Sequence, residues 1–187
     1  MERIYIHAKT EEMCAVIADA IEPVDTELVC GWTDEDVEER DLSEYDVIII
    51  STPLRKEFGL DLVARVSKQT SASIIVLTRA DIVDAVQERI KFTGAFTLGR
   101  PFSKGTLMQT IRMAMLTREK VERLEQENTR LSRKLSDIKL IDRAKCCLIQ
   151  YLNLTEEQAH RHIQKLAMDT HATQREIAED ILKTYSM

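Results

Sequence analysis

An α/β domain on a five-stranded, doubly wound parallel sheet, then a long coiled-coil helix, then a small all-α module of three helices: this is the fold class the sequence predicts. Three observations carry it. Within the first hundred residues short apolar runs alternate with amphipathic stretches. From Thr106 to about Leu152 there is no Pro and no Gly, and an apolar stripe recurs at alternating spacings of three and four. Beyond it stand two capping-box signatures, Thr155-Glu156-Glu157-Gln158 and Thr173-Gln174-Arg175-Glu176, each heading an apolar-periodic run.

Taken in order, the strands are expected at Ile4–His7, Glu27–Gly31, Val47–Ser51, Ile74–Thr78 and Ala95–Leu98. Three of them are rich in Ile and Val without polar alternation, the pattern of a sheet covered on both faces. Amphipathic helices are expected between them at Glu11–Ile21, Asp34–Arg40, Leu60–Lys68 and Ile82–Ile90. Such alternation predicts parallel pairing, with sites at the carboxyl ends of the strands. Pro101-Phe102-Ser103 closes the sheet domain, and Ser103 is a ready N-cap for the helix that follows. These signals divide the chain into residues 1–104, 105–140 and 141–187.

Composition excludes several classes. The 187 residues carry 26 basic and 32 acidic side chains, a net charge of −6, and 44% of them are hydrophobic, too apolar for a disordered chain. No apolar run approaches the length of a bilayer-spanning helix, and no signal-peptide pattern precedes the first strand. Cys14, Cys30, Cys146 and Cys147 form no Cys-x-x-Cys and are expected as reduced thiols in a cytoplasmic protein. With five Gly there is no phosphate-cradling loop, and no cofactor is expected. Charge is uneven: residues 1–111 carry net −8, residues 112–145 net +4 and residues 146–187 net −2. A basic middle is either a polyanion surface or the solvated face of a long helix, and composition alone favours the helix face.

Within the sheet domain, Tyr45-Asp46-Val47-Ile48-Ile49-Ile50-Ser51, Thr52-Pro53-Leu54, Gly59-Leu60, Thr78 after Ile74–Leu77, and Arg100-Pro101-Phe102 keep a characteristic spacing. In that spacing the domain resembles the receiver domain of bacterial response regulators. The resemblance implies a flavodoxin-like sheet and a phosphoacceptor aspartate ending the third strand, with Mg²⁺ held by it and by an acidic pair after the first. This chain departs at three of those roles. Ser51 stands at the phosphoacceptor position and cannot form an acyl phosphate. His7 and Ala8 replace the acidic pair, and Arg100 replaces the lysine that contacts phosphate. Thr78 alone matches, at the switch hydroxyl. The expectation is a pseudo-receiver not phosphorylated at Ser51. His7 is expected as a partly buried strand-end histidine, and the acidic run Asp34-Glu35-Asp36 with Glu38-Glu39 as a solvated helix face.

The long helix carries Val121, Leu124, Asn128, Leu131, Leu135 and Ile138 in heptad spacing. Placing Val121, Asn128 and Leu135 at a, and Leu124, Leu131 and Ile138 at d, predicts a parallel homodimer, since one Asn at a favours two parallel strands. Lys120 at g would then face Glu125 at e of the partner, while Lys134 and Lys139 repel. The register would bury Asp142 and Lys145, so the two chains are expected to diverge near Asp142. From there the apolar face turns to Ile141, Ala144, Leu148 and Tyr151.

The C-terminal module resembles the ANTAR domain, the RNA-binding domain of bacterial transcription antiterminators. The matching residues are Ile141-Asp142-Arg143-Ala144-Lys145, Leu148, Thr155-Glu156-Glu157-Gln158-Ala159, Leu166-Ala167-Met168-Asp169-Thr170 and Ile177-Ala178, over roughly residues 132–186. Cys146 departs from a usual Gly, and His171-Ala172 from a commonly basic pair. The resemblance implies binding to tandem stem-loops of a leader transcript, which prevents formation of a terminator hairpin. Candidate RNA contacts are Arg143, Lys145 (freed where the seam ends), Arg161, Lys165, His171, Thr173 and Arg175. Ala144, Ala167 and Met168 are read as helix packing, and Cys146-Cys147 as small core residues. His160 and His162 lack a third ligand, so no metal site is expected.

The sequence therefore predicts a dimeric, non-enzymatic RNA-binding antitermination regulator with a degenerate receiver. Either a regulatory protein bound to the pseudo-receiver or a ligand or anion bound near Ser51, Thr78 and Arg100 would supply the control that phosphorylation cannot, and the sequence does not choose between them. The alternative is a dimeric DNA-binding transcription factor of response-regulator type. It is disfavoured because the last helix offers few base-reading side chains and carries Glu176, Glu179 and Asp180. An enzyme is disfavoured because the strand ends supply no nucleophile–base pair.

Overall fold

The computed structural model describes residues 2–21, 26–55 and 58–185. By contacts it divides into two compact units, residues 1–122 and 123–187.

The first unit is a five-stranded sheet: β1 (Glu2–His7), β2 (Thr26–Gly31), β3 (Val47–Ser51), β4 (Ser73–Arg79) and β5 (Phe96–Arg100). The strands are all parallel in the order β2-β1-β3-β4-β5, so the chain starts beside the middle and winds outward both ways. Strand alternation assigns the side chains to two cores. Tyr5, Ile48, Ile50, Ile74 and Val76 face α2 (Asp34–Glu38), α3 (Leu60–Gln69) and α4 (Val83–Ile90). Ile4, Ile6, Val47, Ile49, Ile75 and Leu77 face α1 (Glu11–Asp19) and the start of α5 (Lys104–Leu152), where Leu107, Ile111 and Ala114 are buried.

Element bounds shift slightly from expectation for local reasons. Helix α1 stops at Asp19, and Ala20 and Ile21 tighten into bonds to carbonyls three residues back. Helix α2 is one short turn whose capping box runs through Asp36, so that carboxylate is an N-terminal cap rather than part of a solvated face. The side chain of Asp34, in the same acidic run, is outside the described set. His7 is fully buried, its Nδ1 3.3 Å from the Tyr5 hydroxyl. Gly31, opposite His7 in the register, is required by that packing: a Cβ there would come within 2.1 Å of the Tyr5 hydroxyl.

Helix α5 is continuous, as the run without Pro or Gly predicts, and residue 140 lies inside it. Ser103 caps it, accepting from Thr106 N at 3.0 Å. Arg118 is its last anchor on the sheet, donating to the Asp46 carbonyl and carboxylate at 3.1 Å each. After that the heptad stripe is solvent-exposed. Val121, Leu124, Leu131, Leu135 and Ile138 are 46% to 57% exposed, with Asn128 exposed among them.

The second unit is made of the rest of α5 with α6 (Glu156–Thr170) and α7 (Gln174–Tyr185). Both predicted capping boxes form. Thr155 and Gln158 cap α6, and Thr173 and Glu176 cap α7. The shared core is Ala144, Leu148, Ala159, Ile163, Ala167, Ile177, Ala178 and Ile181; its four alanines are the small residues that allow close helix packing. Two expectations fail here. Cys146 is exposed and Cys147 only half-buried, because they lie beside the Ala144–Leu148 row rather than on it. Tyr151 also remains exposed, its ring stacked on Tyr185 at 5.2 Å between centroids.

Candidate functional site

Two places collect the residues singled out by the sequence: the carboxyl ends of the strands in the first unit, and the polar faces of the helices in the second.

At the strand ends, Ser51 and Thr78 are fully buried and Arg100 is half-buried. Ser51 and Arg100 lie on the α1 face of the sheet. Both donate to the same acceptor, the Met13 sulfur, at 3.3 Å from Ser51 Oγ and 3.4 Å from Arg100 Nη1. Arg100 also donates to the Thr52 carbonyl. Met13 is held there by the cap of its own helix, since its backbone N–H donates to Thr10 Oγ1. Thr78 belongs by alternation with Ile74 and Val76 on the other face, and its hydroxyl has no hydrogen-bond partner among the described residues. Thus the structure brings Ser51 and Arg100 together through a methionine that sequence reasoning missed, and leaves Thr78 apart. The signal was faint, a Met in the first turn after the first strand.

The electrostatics of this place differ from those a phosphoacceptor pocket requires. A hydroxyl, a thioether and a guanidinium surround it, and sulfur is only a weak acceptor. Burial pulls the Arg100 pKa below its ordinary value. Ala8, whose N–H donates to the Gly31 carbonyl, offers no side-chain ligand. Magnesium needs clustered carboxylate oxygens, and these residues do not fit it. Among the described residues no three His, Cys, Asp or Glu side chains gather as metal ligands. The buried Cys14 thiol, nearby on α1, is pushed by desolvation up to about 11 and is not a reactive thiolate.

On the second unit the seven candidate contacts separate into two sets. Lys145 is not freed. Its ammonium lies 2.8 Å from Asp142 and 3.1 Å from Glu156, its side chain is 15% exposed, and hydrogen bonds to Asp142 and Glu156 hold its pKa above the ordinary lysine value. Glu156 enters through the turn that returns α6 along α5, a contact no local pattern reveals. Arg175 is bound to Asp137 and, at 3.0 Å, to Glu179; its pKa is raised first by the Asp137 hydrogen bond. The Thr173 hydroxyl is engaged in the cap of α7.

Arg143, Arg161, Lys165 and His171 form the other set. They are exposed and make no ion pair among the described residues. His171 ends α6 in the left-handed region (φ 54), its N–H donating to the α6 carbonyls of Ala167 and Met168. Arg161 and Lys165, four residues apart, project opposite the buried Ile163. Met168, expected in the core, is 76% exposed and shares that outer face.

The ANTAR domain family matches residues 129–182, the later part of α5 with α6 and most of α7. The chain is 34% identical over 155 residues to the transcriptional regulatory protein PdtaR of Mycobacterium tuberculosis (strain ATCC 25618 / H37Rv), covering 82% of this chain and 75% of that protein. A response regulator receiver domain protein from Clostridium thermocellum superposes with a TM-score of 0.57 at 18% identity, covering 65% of this chain and 99% of that one. An adenylate cyclase structure from Rhodopirellula baltica superposes with a TM-score of 0.60 at 13% identity, covering 68% and 97%. At those identities the two structures share a fold with this chain and nothing more. No helix among the described residues is long and apolar enough to cross a membrane. A receiver-fold sheet followed by an ANTAR domain, with a relative alike over most of both lengths, places this chain in the ANTAR family of transcription antitermination regulators.

Proposed function

We propose that this chain binds stem-loops in a leader transcript and so prevents formation of a terminator hairpin. It acts as a parallel homodimer whose receiver-fold unit is not phosphorylated at Ser51. The observation that carries the reading is the ANTAR match on a three-helix unit whose Arg143, Arg161, Lys165 and His171 stand exposed and make no ion pair among the described residues. Phosphate charge supplies much of the affinity of such a surface. Two linked units suit two tandem hairpins, because the second binds at high effective concentration. Lys145 and Arg175 act differently: their carboxylate partners make them struts of the unit rather than contacts to RNA.

The test is a titration of the full chain with a pair of RNA hairpins from the leader beside its own gene, against duplex DNA of the same sequence. RNA-selective binding is expected to weaken roughly 10–100-fold between about 50 and 200 mM salt, as about three or four phosphate contacts require. Replacing Arg161 and Lys165 together by alanine should flatten that dependence. Equal or tighter binding to duplex DNA would overturn the reading in favour of a DNA-binding regulator.

In the first unit, the Ser51 hydroxyl donates to a thioether, and among the described residues no three His, Cys, Asp or Glu side chains gather to hold a cation. Incubation with a small phosphodonor and Mg²⁺ is expected to leave the protein's mass unchanged, and Ser51→Asp alone should not restore phosphorylation because His7 and Ala8 supply no carboxylate. A phosphate added to the unaltered chain and still added to Ser51→Ala would show the acceptor to be elsewhere. With no phosphorylation at Ser51, control passes through a regulatory protein bound to this unit.

A further inference from the structure

We propose that Met168 contacts an unpaired base of the RNA, and that the outer face of α6, Arg161, Lys165 and Met168, is the loop-reading surface of this chain. The inference rests on the RNA reading above and deepens it.

Met168 is 76% exposed, more than any other large apolar side chain described in the second unit. The exposed Leu124, Leu131, Leu135 and Ile138 form the regular stripe of α5, for which a second copy is the natural cover. Met168 belongs to no such stripe. Its neighbour Ala167 continues the inner row with Ala159 and Ile163, and one residue further along the helix the chain turns through about 100°, out of the core. At that angle Met168 follows Arg161 by seven residues and Lys165 by three, so the three share one face. Both cations are exposed and make no ion pair among the described residues. Glu157 stands at the far end of the face and makes no ion pair with Arg161.

A flexible thioether at the end of a row of two exposed cations describes its partner. The cations suit a phosphodiester chain, and an apolar, polarisable side chain needs a flat apolar face. In a duplex the base faces are covered by stacking and the major groove of A-form RNA is closed to side chains, so a duplex gives the cations work and the methionine none. Loop nucleotides offer both, phosphates for Arg161 and Lys165 and an unstacked base for Met168. A protein partner would have to be apolar at one point and acidic at two around it. The charge pattern suits a nucleic acid more simply.

The experiment compares the full-length chain with its Met168→Ala, Met168→Leu and Arg161→Ala variants. Each is titrated with one leader RNA hairpin and with a blunt RNA duplex of the same stem. Met168→Ala is expected to weaken hairpin binding about tenfold, the loss of one base contact, while duplex binding, salt dependence and thermal melting stay as in the unaltered chain. Met168→Leu should recover most of the affinity. Arg161→Ala should weaken hairpin and duplex alike and lower the salt slope by about one. Unchanged hairpin binding by Met168→Ala, or an equal loss on hairpin and duplex, would overturn the base contact while leaving the RNA reading standing. Failure of the unaltered chain to bind the hairpin would overturn the RNA reading, and this inference with it.

Discussion

Replacing Leu148 by alanine is expected to unfold the C-terminal helical unit at temperatures where the sheet unit remains intact. Leu148 is 1% exposed, in a core of eight buried residues of which four are alanine. Truncating a buried leucine costs about 2–5 kcal/mol, the transfer of the lost methyls plus the cavity left behind. A core this small has little else to offset that loss, since small units are marginally stable. The two units can be followed separately. Trp32, the single tryptophan, packs against the core between β-sheet, α1 and α5, so its fluorescence reports the first unit, while the helical far-ultraviolet signal includes α6 and α7. In Leu148→Ala an early helical transition should separate from an unchanged fluorescence transition, and RNA binding should disappear with the first. Leu148→Met, which nearly conserves volume, should cost less than about 1.5 kcal/mol. Coincident transitions in Leu148→Ala would mean that the units do not unfold separately.

Leu131→Asp is expected to convert the protein from dimer to monomer at micromolar concentration. Leu131 lies at a d position one turn from Asn128 and from Leu135, and a carboxylate there would be buried against its own copy in a parallel seam. Because the exposed stripe contributes nothing to the fold of the single chain, the substitution should leave melting of the first unit unchanged. Sedimentation should show the unaltered protein at twice the 21.5 kDa chain mass and the variant at that mass. Affinity for a tandem pair of hairpins should fall by roughly 10²-fold or more, with affinity for one hairpin little changed, because only the linked second binding is lost. Asn128→Leu should act in the opposite direction, tightening assembly at the expense of register. A monomeric unaltered chain would remove the dimer from the proposal.

Most of the architecture was legible in the chain because it is set by neighbours in sequence. The Ile- and Val-rich runs marked β1, β3 and β4 to within a residue or two at their ends, since a strand buried on both faces has no polar alternation to disguise it. Thr155 with Gln158 and Thr173 with Glu176 announced α6 and α7, because a capping box is a contact over three residues. The run without Pro or Gly announced one continuous α5. Ser51, His7, Ala8 and Arg100 were readable as departures because the spacing of the strand-end motifs resembles that of a receiver, and the residue types at those positions differ.

The sites were less legible, and the errors share one cause. Lys145 looked free although Asp142 stands three residues earlier, and Glu156, eleven residues on, is folded back against it as well. Arg175 looked free until Asp137, thirty-eight residues earlier, was placed beside it. Met168 looked like core because it follows Ala167 in an apolar pair, and only the orientation of α6 on its neighbours decides which of two adjacent residues faces inward. Met13 gave no sign that its sulfur would stand between Ser51 and Arg100. The sequence by itself determined the element order, the caps, the exposed heptad stripe and the missing receiver carboxylates, all properties of residue type and short-range spacing. Tertiary structure alone decided which distant carboxylates reach Lys145 and Arg175, which apolar side chain is left outside and what fills the strand ends, because those contacts depend on atoms brought together from distant parts of the chain.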